Sequence, residues 1–169
     1  MVGDIRNIVL MGVSGCGKSL IGESLSLKLG RKFVEGDEFH TPENKNKMGH
    51  GIPLNDKDRM SWLTKLGDLA NESRQPLIIS CSALKKSYRD LLGSIGGNIL
   101  FVHLHAPREI IETRIKTRKG HFFDPGLLTS QFETLQHLGS GEQGFAVNVD
   151  QAKHLVLAEI ISRLDDQQI

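Results

Sequence analysis

Gly12-Val13-Ser14-Gly15-Cys16-Gly17-Lys18-Ser19 decides the fold. The stretch has the form G-x-x-x-x-G-K-[ST], a loop whose glycines let the backbone curl so that successive N–H groups point inward at phosphate oxygens. It follows a β-branched apolar run, Ile5–Met11. It opens a helical pattern, Lys18–Leu29, in which Ile21, Leu25 and Leu29 recur at helical spacing. The helix N-terminus adds a favourable partial positive charge. In such a loop Lys18 reaches the β- and γ-phosphates and the Ser19 hydroxyl ligates Mg²⁺. The main chain from Gly12 to Ser19 is therefore expected to bind a nucleoside triphosphate.

Outward from the loop, short apolar runs alternate with helical patterns, the signature of an α/β fold with a parallel sheet. The runs are Ile5–Met11, Lys32–Val34, Leu77–Cys81, Ile99–Leu104 and Phe145–Val149. Several are apolar at nearly every position, as in strands covered on both faces. Helices are expected over Lys18–Leu29, Asp56–Glu72, 84–92, 107–118, 125–135 and 151–164. Asn55 or Asp56 suits the cap of the second, and Pro107 the first turn of its helix. Residues 38–55 break the rhythm and read as an irregular binding element. Lys119–Pro125, short and basic-aromatic, reads as a lid.

The chain has 169 residues, enough for one domain with a sizeable core. A formal charge of +1 argues against nucleic acid as the main partner. The longest apolar runs, such as Ile8–Met11 and Ile99–Val102, fall far short of the roughly 18 residues that span a bilayer, so no membrane partner is expected. Two cysteines cannot build a disulfide scaffold. With no signal-peptide or transit pattern at the N-terminus, an intracellular location is expected.

Three classes of protein share the phosphate loop. A guanine-nucleotide switch needs a late N-K-x-D, and Asn46-Lys47-Met48-Gly49 lacks the Asp and comes too early. A motor needs an acidic residue ending the third strand, where Cys81-Ser82 stands instead. A small-molecule kinase needs a carboxylate near the γ-phosphate, cations for the acceptor and a lid. Asp37 falls just past the second strand, on the sheet edge where open α/β sheets bind ligands. There it can take or orient the acceptor's proton. Glu35, two residues earlier, can hold Mg²⁺ through water. Lys85 and Arg89 are four apart and would share a helix face suited to an anionic substrate. Arg59 opens the long helix against its dipole and asks for a ligand or an acidic neighbour. Arg114 and Arg118 lead into the lid and suit triphosphate oxygens or an adenine face.

At these residues the sequence resembles the gluconate kinases, a branch of the P-loop small-molecule kinases. The resemblance rests on residues 11–19, on Gly-Asp-Glu-Phe-His at 36–40 and on residues 46–59. It continues through Trp62-Leu63, Cys-Ser-Ala-Leu-Lys-Lys-Ser-Tyr-Arg-Asp at 81–90, Arg-Lys-Gly-His-Phe-Phe at 118–123 and Ser-Gln-Phe-Glu-Thr-Leu at 130–135. It implies ATP-dependent phosphorylation of D-gluconate to 6-phosphogluconate, with Mg²⁺, a cytoplasmic location and a homodimer. It implies a P-loop NTPase fold of five parallel strands sandwiched by helices, one domain over 1–169. Residues 38–76 would form the acceptor-binding lobe, a helical insertion, and 119–126 a short lid. Carried over by position, Asp37 is the base or orienter, with Lys18 and Arg118 also in catalytic positions. His40, Lys47, Arg59, Ser82, Lys85, Arg89 and His121 contact gluconate, while Arg114 and Arg118 hold the nucleotide. The alternatives are a kinase of another small anionic acceptor, such as shikimate or adenylylsulfate, and a nucleotide-binding switch without catalysis.

Two positions depart from the family pattern, which usually has Asp at 35 and Ser at 16, where this chain has Glu35 and Cys16. The extra methylene puts direct metal contact at Glu35 in question. Cys16, at a helix N-terminus beside Lys18, occupies a position that suits a reactive thiol. His103 and His105 share a strand face without an obvious third ligand, and Glu133 and His137 are spaced to support a helix. Trp62 reads as core of the acceptor lobe and Cys81 as a buried thiol. Asp150 reads as a helix cap or a backbone neighbour of the adenine.

Overall fold

The computed structural model describes residues 6–118 and 123–167. Among them, five strands form one parallel sheet in the order β2-β3-β1-β4-β5. These are β1 (Asn7–Met11), β2 (Phe33–Glu35), β3 (Ile78–Ser80), β4 (Ile99–His105) and β5 (Gly144–Asn148). The helices are α1 (Lys18–Leu29), α2 (Pro42–Gly49), α3 (Asp56–Glu72), α4 (Lys86–Gly96), α5 (Arg108–Thr117), α6 (Pro125–Thr134) and α7 (Lys153–Asp166). The α/β arrangement with a parallel sheet expected from the alternation is present, with the five strands that the family resemblance implies.

The central strands are apolar throughout because helices cover both faces of the sheet. Strand alternation sends Ile8, Leu10, Val102 and Leu104 to one side, where Ile21 and Leu25 of α1, Ile111 of α5 and Ile160 of α7 meet them. Val9, Met11, Ile79 and Phe101 point the other way, onto Trp62, Leu63 and Leu66 of α3 and Leu92 of α4. Burying one such side chain fully contributes roughly 1.5–3 kcal/mol.

Order β2-β3-β1-β4-β5 places β1 between strands whose connections run in opposite directions. Ligands bind beyond the carboxyl ends of the strands at such a point. The phosphate loop leaves β1 there, and Gly36-Asp37 leaves β2 beside it. Gly12 has φ +139°, and a Cβ on it would stand 2.5 Å from the Leu104 carbonyl oxygen and 2.9 Å from Cys16 Sγ. The loop therefore begins tight against β4, which only glycine permits.

Residues 38–55 differ from the irregular segment expected. After a 3-10 turn at Gly36–Phe39 comes α2, capped by Thr41, whose side chain accepts from Asn44 N–H at 3.1 Å, with Pro42 in the first turn. Thr-Pro is a helix-start signal. It lacks an apolar stripe behind it, because Asn44 is the buried residue of α2. Asn44 Nδ2 donates to the Asp58 carbonyl oxygen at 2.7 Å, which docks α2 on α3. The start of α3 is a capping box: Asp58 N–H donates to Asn55 Oδ1 at 2.8 Å and Asn55 N–H to Asp58 Oδ2 at 3.0 Å.

Candidate active site

Two cavities meet at the phosphate loop. The first, about 520 Å³, is lined by the loop from Ser14 to Ser19 and by Glu35, Asp37, Arg114 and Arg118, with Val149, Gln151 and Lys153 from the end of β5 onward. The second, about 300 Å³, is lined by His40, Arg59, Trp62, Ser82, Phe123 and Gln131, among others. Ser14, Lys18 and Asp37 line both. A nucleotide-sized and an acceptor-sized space thus share one wall that carries a cation and a carboxylate.

The side chains around the loop are interlocked. Lys18 Nζ donates to the carbonyl oxygens of Gly12 at 2.9 Å and Val13 at 3.0 Å. Ser19 Oγ donates to Glu35 Oε2, and Ser80 Oγ donates to Glu35 Oε1. Ser80 Oγ also accepts from Gly36 N–H at 3.1 Å, so β3 fixes the carboxylate that faces the loop. Hydroxyl and carboxylate oxygens form the donor set that suits a hard cation such as Mg²⁺. Mg²⁺ typically takes one or two carboxylates and completes its shell with water and phosphate. A protein cage of three carboxylates or histidines is therefore not required, and none is found among the described residues. Arg114 donates to the Val149 carbonyl oxygen and ties α5 to the end of β5.

In the second cavity, the His40 ring stacks on Trp62 with centroids 4.0 Å apart and planes 21° apart. Trp62 is both core and cavity floor. Its Nε1 donates to the Gly36 carbonyl oxygen at 2.8 Å and fixes the turn that presents Asp37. Arg59 Nη1 donates to the Leu54 carbonyl oxygen and to Tyr88 Oη at 3.2 Å.

The structure separates the expected acceptor residues into two groups. His40, Arg59 and Ser82 line the second cavity. Lys47 turns away to Asp58, at 2.9 Å, and joins α2 to the start of α3. Lys85 is the N-cap position of α4 rather than a residue within it, and it pairs with Asp56 at 2.8 Å. Arg89 faces the interior, with Nε 2.6 Å from Glu142 Oε1 and its side chain 1% exposed. The expected common face of Lys85 and Arg89 does not form, and neither residue lines the second cavity. His121 lies outside the described residues, as does the first half of the expected lid, residues 119–122. Of residues 119–126, Asp124 caps α6 by accepting from Gly126 N–H at 2.7 Å, and Pro125 and Gly126 already belong to the helix. Asp150 caps nothing, since Ala152 holds that position for α7.

Three comparisons bear on this site. The family model described as shikimate kinase matches residues 14–162. The thermoresistant gluconokinase of Escherichia coli (strain K12) is 45% identical over 157 residues, spanning 90% of each chain. The crystal structure of a gluconokinase from Sinorhizobium meliloti 1021 superposes with a TM-score of 0.88 at 43% identity, covering 96% of this chain and 93% of that one. The chain belongs to the gluconokinase family. A sugar kinase from Janibacter sp. HTCC2649 shares its shape at a TM-score of 0.91 and 39% identity, over 95% of both chains.

The two departures from the gluconokinase pattern now have surroundings. Glu35 reaches the Ser19 hydroxyl directly, so its added length still brings the carboxylate to the loop. Cys16 turns its side chain into the core and is 1% exposed, with Sγ 3.9 Å from Lys18 Nζ. Burial pushes the Cys81 thiol up to about 12, so it stays neutral beside the site. His137 approaches His103, with ring centroids 5.3 Å apart, and supplies the third histidine that spacing along β4 does not reveal. Among the described residues no metal-holding group arises from it.

His40 and His103 are both buried, and burial is the first cause that lowers each to about 4. Arg59 and Lys45 add to the effect at His40, and His137, His105, Arg89 and Lys18 at His103. The unfolded chain takes up these two protons near 6.5, whereas the native protein takes them up only near 4. The contribution of the neutral rings to stability is therefore complete above about pH 6.5 and declines as pH falls towards 4. Urea midpoints are expected to fall between pH 7 and pH 5.5, and to fall less in a His103→Gln variant. Equal slopes in the two proteins would contradict this account.

Proposed function

We propose that this protein transfers the terminal phosphoryl group of ATP to the 6-hydroxyl of D-gluconate, giving 6-phospho-D-gluconate and ADP. The observation that carries the reading is the shared wall of the two cavities, with Lys18 and Asp37 facing both. Membership of the gluconokinase family supports gluconate as the acceptor. The chemistry of the second cavity agrees. A small polyol with one carboxylate asks for a guanidinium, which Arg59 offers, and for short polar partners such as Ser82 and a neutral His40.

The loop amides and the α1 N-terminus bind the phosphate chain. Lys18 exchanges its carbonyl partners for phosphate oxygens and balances the charge that spreads over them during transfer. Arg114 and Arg118 close the nucleotide side as cations. Asp37 accepts the proton of the attacking hydroxyl. The O–P bond to gluconate forms as the bond from the γ-phosphorus to the β,γ-bridging oxygen breaks, and the electron pair leaves with ADP. Ser19 and Glu35 would hold Mg²⁺, which when bound draws charge from the β- and γ-phosphate oxygens. The family resemblance also carries to this reading the roles of residues 38–76 in acceptor binding and 119–126 as lid, a homodimeric assembly and a cytoplasmic location. No helix among the described residues is long and apolar enough to cross a membrane.

A coupled ADP-release assay across sugar acids, shikimate, adenylylsulfate and nucleoside monophosphates tests the proposal. Turnover that depends on D-gluconate is expected. Turnover on shikimate or adenylylsulfate instead, or tight ATP binding with no acceptor-dependent turnover, would overturn it.

A further inference from the structure

Gln131 lies on α6, 117 residues from the phosphate loop, yet its side chain closes on that loop. Its Oε1 accepts from the Ser14 main-chain N–H at 2.7 Å, and its Nε2 donates to Ser14 Oγ at 3.1 Å. The orientation of the carboxamide follows from chemistry, since a main-chain N–H only donates and must face the oxygen. Ser14 lines both cavities, and Gln131 lines the second. The helix that carries Gln131 is capped by Asp124, against which the Gly51 backbone is packed so closely that a Cβ there would stand 2.5 Å from Oδ2. One half-buried side chain therefore joins the phosphate loop to the acceptor cavity, on the helix that Asp124 caps.

We propose that Gln131 is a positioning residue that competes with the terminal phosphate of ATP for Ser14 and, once displaced, turns its carboxamide to the hydroxyls of the acceptor. ATP then prepares the acceptor cavity and ADP does not. A charged phosphate oxygen is a stronger acceptor than a neutral amide oxygen, so the phosphate takes over the Ser14 N–H that Gln131 Oε1 accepts. The carboxamide oxygen has then lost its partner in a half-buried place, where an unmade hydrogen bond is costly. Polyol hydroxyls supply replacements. No covalent step is involved. The acceptor half of this inference rests on the proposed kinase function, whereas the nucleotide half stands on the loop geometry alone.

Calorimetric titration of the full chain with a non-hydrolysable ATP analogue and with ADP, each with and without D-gluconate, tests the inference. In the unsubstituted protein, gluconate is expected to bind more tightly beside the analogue than beside ADP. Gln131→Ala removes the competitor. The analogue should then bind roughly two- to tenfold more tightly, the worth of about one hydrogen bond, with ADP unchanged. Gluconate should lose its preference between the two nucleotides. Gln131→Glu keeps the length and sets a negative charge against the phosphate, so it should weaken the analogue more than ADP. Equal losses for both nucleotides in either variant would reduce Gln131 to a brace for the loop and overturn the inference. A preference of gluconate for the analogue that survives Gln131→Ala would do the same. If gluconate binds beside neither nucleotide while the nucleotide affinities shift as stated, the gluconate reading fails and the competition at Ser14 stands.

Discussion

Asp37→Asn is expected to lower turnover by about 10²–10⁴-fold while leaving ATP affinity close to that of the unsubstituted protein. The substitution keeps the size of the side chain and removes its capacity to take a proton. The backbone around it is held from outside the side chain. Trp62 Nε1 grips the Gly36 carbonyl oxygen at 2.8 Å, and the Ser80 hydroxyl meets Gly36 N–H at 3.1 Å. The turn should therefore survive, and the loss should fall on kcat. Steady-state rates with gluconate, paired with calorimetric ATP titration, check both halves. Near-normal turnover would remove Asp37 from the chemistry.

Arg89→Met is expected to destabilise the protein by about 3–5 kcal/mol, the usual cost of stranding one partner of a buried ion pair. Arg89 Nε and Nη2 clamp the two oxygens of Glu142 at 2.6 and 3.1 Å. Nη1 donates to the carbonyl oxygens of Ala83 at 2.9 Å and Leu84 at 3.3 Å. The guanidinium thus staples the turn after β3, where Ala83 holds φ +43°, to the segment before β5. The hydrogen bond from Arg89 is the main cause that holds the Glu142 carboxyl below the usual carboxylate range. Its contribution is present above the ordinary glutamate pKa and is lost as pH falls through the lowered one. Urea unfolding should show the loss at pH 7 and a flatter acid limb in the variant. Arg89→Met combined with Glu142→Leu should recover part of the stability, because no charge is then left unpaired. A variant of unaltered stability whose KM for gluconate rises would return Arg89 to the acceptor site.

Local signals in the sequence account for what could be read from it. The bounds of α1 and α3 follow from apolar spacing and caps, and the phosphate loop follows from its glycines. Helix α2 has no apolar stripe. It is held by the Thr41 cap and by Asn44 docking on α3, and the second of these exists only once α3 is in place. The cations show the limit of reading by spacing. Lys85 and Arg89 suggest a common face, but Arg89 finds Glu142 at a separation of 53 residues, and Lys47 finds Asp58 at 11. Those carboxylates decide where the cations point. The contact between Gln131 and Ser14 was equally out of reach, since an amide on a helix face carries no signal of its own.

The wall shared by the two cavities has a consequence for inhibitor design. A single compound that joins a nucleoside to a sugar acid through a short phosphate chain would occupy both spaces at once. Its second half would bind at an effective concentration of about millimolar, so its avidity could exceed that of either fragment by about 10²–10⁴-fold. The tether would have to pass between Lys18 and Asp37, which sets both its charge and its length.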